Sequence, residues 1–157
     1  MSNPCGDCQL LDRRGFLGAA MVAFAGALTV GFGRPSWSRD EEHAYPIPAT
    51  DGATIDKDTQ VILVRFEQKA YAFRLSCPHQ NTALHWLEDE GRFQCPKHKS
   101  RYQPDGVFIS GRATRNMDRF AVRRDGATIV VDVDKLYKSD RDAAGWAAAC
   151  VSVRSSD

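Results

Sequence analysis

The chain has no excess of charge of either sign: 21 Lys and Arg against 20 Asp and Glu leave a formal charge of +1. That balance argues against a nucleic-acid surface and against a polyanionic partner. Histidine is scarce, with 4 residues (His43, His79, His85 and His98), and the 5 cysteines (Cys5, Cys8, Cys77, Cys95 and Cys150) are odd in number. An odd count excludes a fully paired disulfide scaffold. No unit of about 20–50 residues recurs, so a solenoid or propeller is excluded as well. With 43% hydrophobic residues the chain is too apolar for a disordered one. A length of 157 residues suits one compact domain with an appendage.

The appendage is N-terminal. Arg13-Arg14 precede Gly15-Phe16-Leu17 and the uncharged run 15–33, an arrangement that resembles the twin-arginine export signal. As a helix that run would extend roughly 28 Å, close to the thickness of a bilayer core. No Ala-x-Ala-like triplet follows it, Trp37 is placed as an interfacial anchor, and Ala19, Ala23 and Ala27 form a small-residue face. A hydrophobic helix is therefore expected within residues 1–33, either kept as a membrane anchor through 15–33 or cleaved as a signal. Pro35, Pro46, Pro48 and the acidic Asp40-Glu41-Glu42 predict an extended, solvated linker over 34–52.

Beyond the linker the pattern is that of strands. Val61 to Phe66 and Ala70 to Leu75 flank Glu67-Gln68-Lys69, and Phe120 to Arg124 and Ala127 to Val133 flank Asp125-Gly126, so two hairpins are predicted. The expected fold is mostly β: a small antiparallel domain over 53–137 with loops between its strands, followed by a tail, 138–157, with a short alanine-rich helix around Trp146. A core this thin gains stability from a bound metal centre.

Cys77-Pro78-His79 and Cys95-Pro96-Lys97-His98 stand on either side of residues 80–94. Each half supplies one thiolate and one imidazole, with a proline stiffening the loop. Zinc fingers usually place the cysteines in one half and the histidines in the other, so a mixed zinc site is the lesser reading.

A C-x-H and a C-x-x-H at this spacing resemble the signature of the Rieske iron–sulfur family. The resemblance implies one [2Fe–2S] cluster, with Cys77 and Cys95 on one iron and His79 and His98 on the other. Neutral imidazoles in place of thiolates make such clusters easier to reduce, at about −150 to +300 mV. Ser100 and Tyr102 match the hydroxyls that, in high-potential members, bond a bridging sulfide and a cysteine sulfur. Both would raise the potential. Members from quinol–cytochrome c reductases also carry a disulfide between the cluster loops. Its positions here are Thr82 and Lys97, and Gly111-Arg112 is not followed by the usual proline-rich loop.

These departures favour simple electron transfer over direct quinol oxidation. The expected protein is a one-electron carrier on the outer face of a bacterial cytoplasmic membrane, in the periplasm if the signal is cleaved. It would serve as the iron–sulfur subunit of a respiratory or photosynthetic redox complex and exchange electrons with a cytochrome or another oxidoreductase subunit. It would have no substrate site or catalytic residue of its own. The small subunit of a periplasmic oxidase and a stand-alone Rieske ferredoxin are the alternatives. Lys97, Lys99, Arg101, Arg112 and Arg115 place positive charge near the cluster, as a solvated rim or as a contact for an acidic partner. A Rieske oxygenase is excluded, because only His43 and His85 remain for its separate iron site. No role attaches to the Cys5-x-x-Cys8 pair, and Cys150 reads as a small packed residue.

Overall fold

A computed structural model describes residues 41–154. The expected N-terminal helix and the anchor run 15–33 lie outside the described residues. Among the described residues no helix is long and apolar enough to cross a membrane.

Two antiparallel sheets make up the described part. The larger contains β1 (Glu42–Pro46), β2 (Gly52–Asp56), β3 (Val61–Phe66), β4 (Lys69–Arg74), β9 (Arg119–Asp125) and β10 (Thr128–Tyr137) in the spatial order β1-β10-β9-β4-β3-β2, with β11 (Val151–Ser152) paired to β4. The smaller is built from β5 (His85–Leu87), β6 (Arg92–Gln94), β7 (Arg101–Tyr102) and β8 (Phe108–Ser110), paired in sequence order. The mostly β architecture expected from the strand pattern is what is found.

The unbroken apolar runs of β3 and β4 follow from covering both of their faces. Alternation sends Val61, Leu63, Ala70 and Ala72 to one core with Phe120, Ile129 and Val131. It sends Ile62, Val64, Tyr71 and Phe73 to a second core with Leu84, Phe93 and Tyr102 of the small sheet. Cys77 and Cys95 belong to this second core. The hairpin between β3 and β4 turns on Glu67 and Gln68, with φ of 49° and 60°. Positive φ at both central residues is what a type I′ turn requires.

The extended linker expected over 34–52 is corrected at two places. Residues 42–46 form β1, paired to β10 from Glu42 opposite Asp132 to Pro46 opposite Thr128. Gly52 begins β2, paired to β3. Pro46 is compatible with the first site because it ends a strand at the sheet edge, where a missing N–H is tolerated. Tyr45 then packs on the first core. Its hydroxyl donates to Asp56 Oδ2 at 2.9 Å and lies 2.8 Å from Thr59 Oγ1.

The tail is also structural. Helix α1 (Ala143–Ala148) is capped by Asp142, whose Oδ1 accepts the Gly145 N–H at 2.8 Å. Trp146 donates from Nε1 to the Met117 carbonyl at 2.7 Å, and the Arg119 guanidinium carbon lies 3.5 Å from the Trp146 ring centroid. Arg119 is buried and donates to the carbonyls of Trp146 (2.8 Å) and Asp105 (2.6 Å), so the tail, the large sheet and the β7–β8 turn meet on one cation. Burial pushes its pKa down from the usual arginine value. Trp146→Phe keeps a ring against Arg119 but loses the bond to Met117. It is expected to lower stability by roughly 1 kcal/mol, read from the urea midpoint at unchanged slope.

Candidate metal centre

Two loops of matching construction hold the cysteines and histidines. In 77–82 the Cys77 N–H donates to the Thr82 carbonyl (2.8 Å), and the Cys77 carbonyl accepts from Asn81 (2.9 Å). In 95–100 the Cys95 N–H donates to the Ser100 carbonyl (2.8 Å), and the Cys95 carbonyl accepts from Lys99 (3.0 Å). Asn81 and Lys99, at the same step of each loop, both take left-handed φ, 52° and 56°. A bridge between Ser76 and Ala83 closes the first loop, and β6 and β7 close the second. Each cysteine is thereby presented at the base of its loop, with its amide and carbonyl already satisfied.

Cys77 and Cys95 are buried, at 0% and 1% exposure, and both are free thiols. The His79 and His98 rings lie 4.8 Å apart between centroids, inclined by 75°, and are half-buried. In each ring Nδ1 is buried with no hydrogen-bond partner. A buried imidazole nitrogen without a partner carries a desolvation cost of about 1–3 kcal/mol unless something binds it. Burial, then His79, Arg112 and Lys97, hold the His98 pKa below the usual histidine value. Its ring is therefore neutral near pH 7, the form that ligates a metal.

Tyr102 is wholly buried, and its hydroxyl lies 3.3 Å from Cys77 Sγ. Burial, then the bond to Cys77, push its pKa far above the usual phenol value, so it keeps its proton. Either atom can donate while Cys77 is a free thiol, and toward a metal-bound sulfur the hydroxyl would be the donor. Ser100 is wholly buried too, and its Oγ accepts the Ala113 N–H at 3.1 Å, which leaves its own proton to give. The six residues singled out in the sequence, Cys77, His79, Cys95, His98, Ser100 and Tyr102, thus fall in or beside these two loops.

Gly111 completes the site. Its φ is +116°, and a Cβ there would stand 2.4 Å from Ser100 Cα. Only the absence of a side chain lets the 111–113 segment approach Ser100. The contact lies one step beyond Arg101 opposite Ser110 on the β7–β8 hairpin, so it depends on that pairing, which the residues themselves did not announce. His85 is exposed in β5, His43 is half-buried in β1, and Cys150 packs beside the second core. None of these belongs to the centre. Cys5 and Cys8 lie outside the described residues.

Two buried thiols and two buried, unpartnered imidazole nitrogens fit a two-iron group that takes sulfur on one iron and nitrogen on the other. Among the described residues no three His, Cys, Asp or Glu side chains meet as one ion would need, and a two-iron group, wider than one ion, does not ask them to.

The family model for the Rieske [2Fe-2S] domain matches residues 47–130. The chain is similar to the cytochrome b6-f complex iron-sulfur subunit of Chlorobaculum tepidum, at 30% identity over 76 residues, covering 48% of this chain and 42% of that protein. It is also similar to the chloroplastic cytochrome b6-f complex iron-sulfur subunit of Bigelowiella natans, at 31% identity over 87 residues, covering 55% of this chain and 29% of that one. The chain thus spans less than half the length of either relative. Among solved structures, the plasma membrane Rieske protein PetC3 from Synechocystis PCC 6803 aligns at a TM-score of 0.43 and 23% identity, over 50% of this chain and 82% of that one.

Proposed function

Since the chain belongs to the Rieske [2Fe-2S] domain family and carries one [2Fe–2S] cluster, we propose that Cys77 and Cys95 bind one iron and His79 and His98 the other. The single observation that carries this assignment is the pair of buried, unpartnered Nδ1 atoms beside two buried thiols. When bound, the cluster supplies reversible uptake of one electron. The half-exposed rings of His79 and His98 form the edge through which that electron passes, while the thiol side is closed off by Leu84, Phe93 and Tyr102.

The place of this chemistry is the outer face of a bacterial cytoplasmic membrane, in the iron–sulfur subunit of a respiratory or photosynthetic complex, handing electrons to a cytochrome or another oxidoreductase subunit. Arg13-Arg14 ahead of the uncharged run 15–33 supports export. The relatives that carry the name of a complex support the subunit role.

Electron paramagnetic resonance of the purified, dithionite-reduced chain tests the ligand assignment. A signal from the reduced state alone, with pulsed spectra showing coupling to two imidazole nitrogens, is expected. A reduced cluster without nitrogen coupling removes the histidines as ligands, and a colourless protein removes the cluster.

In this reading Tyr102 donates to Cys77 Sγ and Ser100 to a sulfur of the cluster, and both bonds would strengthen when the centre gains negative charge. A hydrogen bond to a charged group contributes about 1.5 kcal/mol at the low end. For one electron that is about 60 mV, a tenfold change in the redox equilibrium. Ser100→Ala and Tyr102→Phe are each expected to lower the potential by about that much. Protein-film voltammetry reads the change, and an unshifted potential in both variants refutes the tuning role.

A further inference from the structure

Four exposed bases, Lys97, Lys99, Arg101 and Arg112, lie in or beside the loops that carry His79 and His98. The two loops 77–82 and 95–100 and the adjoining segment 111–115 carry Lys97, Lys99, Arg112 and Arg115 and no Asp or Glu, and Arg101 begins β7 just beyond the second loop. Arg115 is engaged by Asp118 and Asp140. Lys97, Lys99, Arg101 and Arg112 are exposed and form no salt bridge among the described residues.

Strand direction explains the segregation. The β5–β6 hairpin runs away from the two loops, with His85 opposite Gln94 at the near end, and its turn carries Glu88, Asp89 and Glu90 at the far end. The β7–β8 hairpin is laid out the same way: Arg101 opposite Ser110 is at the near end, and Asp105 is in the far turn. Arg112 follows Gly111, which abuts Ser100, and Arg112 and Lys97 both lie near enough to His98 to act on its charge. Ile109, the one exposed large hydrophobic side chain among the described residues, leads into that same end, as does the exposed Pro96. Among the described residues, the acids of these two hairpins, Glu88, Asp89, Glu90 and Asp105, thus sit at the far turns, and the four exposed bases beside the two loops form no salt bridge.

We propose that this basic face, Lys97, Lys99, Arg101 and Arg112 around the His79–His98 edge, is the docking surface for an acidic one-electron acceptor protein. The proposal rests on the electron-transfer reading above and adds the chemistry of the partner. One electron leaves the reduced domain and reduces the acceptor's oxidised centre, with no bond made or broken and no proton transferred. Positive charge that rings the exchange site raises the encounter rate with an acidic partner and orients it edge-on. Because the side chains are exposed, salt screens the effect within about 10 Å at 0.1 M. The rim thus acts on association more than on the strength of the final complex.

The test uses one acceptor with its surface charge inverted. Ferric cytochrome c is basic, and its succinylated form is acidic around the same haem. The reduced full-length protein is mixed with each in a stopped-flow instrument at rising salt. At low salt the succinylated form is expected to be reduced at least about tenfold faster than the native form, with the two rates converging as salt rises. The double variant Lys97→Glu/Arg112→Glu, on two exposed side chains, is expected to abolish or reverse that preference while keeping the visible spectrum.

Equal rates at low salt, or a preference untouched in the double variant, overturn the proposal. So does a double variant that loses binding to phosphatidylglycerol vesicles yet keeps the natural rates, which would make the face a lipid contact. A preparation that exchanges no electrons with either acceptor overturns the electron-transfer reading together with the docking face.

Discussion

Cys95→Ala is expected to yield a chain that retains no cluster and whose small sheet melts ahead of the large one. The small sheet has little to hold it by itself. Its strands are 3, 3, 2 and 3 residues long, and short strands without a broad apolar face are marginal in water. What binds it to the large sheet is the second core, in which Cys77 and Cys95 are themselves packed members. Without a metal group, two buried imidazole nitrogens are left unpartnered, at about 1–3 kcal/mol each, against a total stability of about 5–15 kcal/mol for a domain. Ligating them converts that penalty into binding energy, which is also folding energy.

Hydrogen exchange by mass spectrometry distinguishes the two sheets. Amides of β5, β6, β7 and β8 should lose protection by orders of magnitude in Cys95→Ala, while those of β3, β4, β9 and β10 keep theirs. Equal protection of both sheets in a protein shown to lack iron would mean that the loops are held by packing alone.

The candidate centre could be proposed from the sequence because its chemistry resides in residue identity at short spacing. Cys77, His79, Cys95 and His98 could be named before any contact was known, and the packed structure adds their burial and the unpartnered nitrogens. The two hairpins were legible for a similar reason, since alternation and turn residues act within a few positions, although the second turns on Gly126-Ala127, one residue beyond the expected Asp125-Gly126. What was not legible depends on pairing across long separations. The residues of β1 are a short mixed run, Glu-His-Ala-Tyr, ending in proline, and they become a strand because β10 offers an edge to Glu42–Pro46. The short helix around Trp146 was legible from its alanines, but its stacking on Arg119 was not, because the two residues are far apart along the chain.

The two cluster loops also differ in a way that sequence spacing hides. Cys77-x-His and Cys95-x-x-His look unequal, yet both loops close with the same hydrogen bonds and the same left-handed step at Asn81 and Lys99. The extra residue before His98 therefore changes where the imidazole leaves the loop rather than how the loop is built. Thr82 and Ser100 occupy equivalent closing positions, and of these Ser100 is the more buried.

Gly111→Ala is expected to damage the centre more than any other single glycine replacement among the described residues. At φ +116° an alanine is strained wherever it stands, at about 1–3 kcal/mol. Here its Cβ would also lie 2.4 Å from Ser100 Cα and 2.9 Å from Ser100 N. Those are backbone atoms, and Ser100 has no room to withdraw. It is wholly buried, its carbonyl accepts from Cys95 at 2.8 Å, and its Oγ accepts from Ala113 at 3.1 Å. Overpacking of this kind adds about 1–3 kcal/mol, so the loss of stability should be roughly 2–6 kcal/mol in all.

Relief can come only by moving the 95–100 loop or the 111–113 segment, and either movement spoils the Ser100 hydroxyl's aim. The fraction of chains retaining iron and the potential of those that do should therefore fall together. Gly91→Ala is the matched control: its φ is 56°, and nothing lies within 4 Å of the added carbon. It should show only the backbone cost of about 1–2 kcal/mol and an unchanged potential. If voltammetry and iron analysis find the two variants alike, Gly111 serves its turn and not the centre.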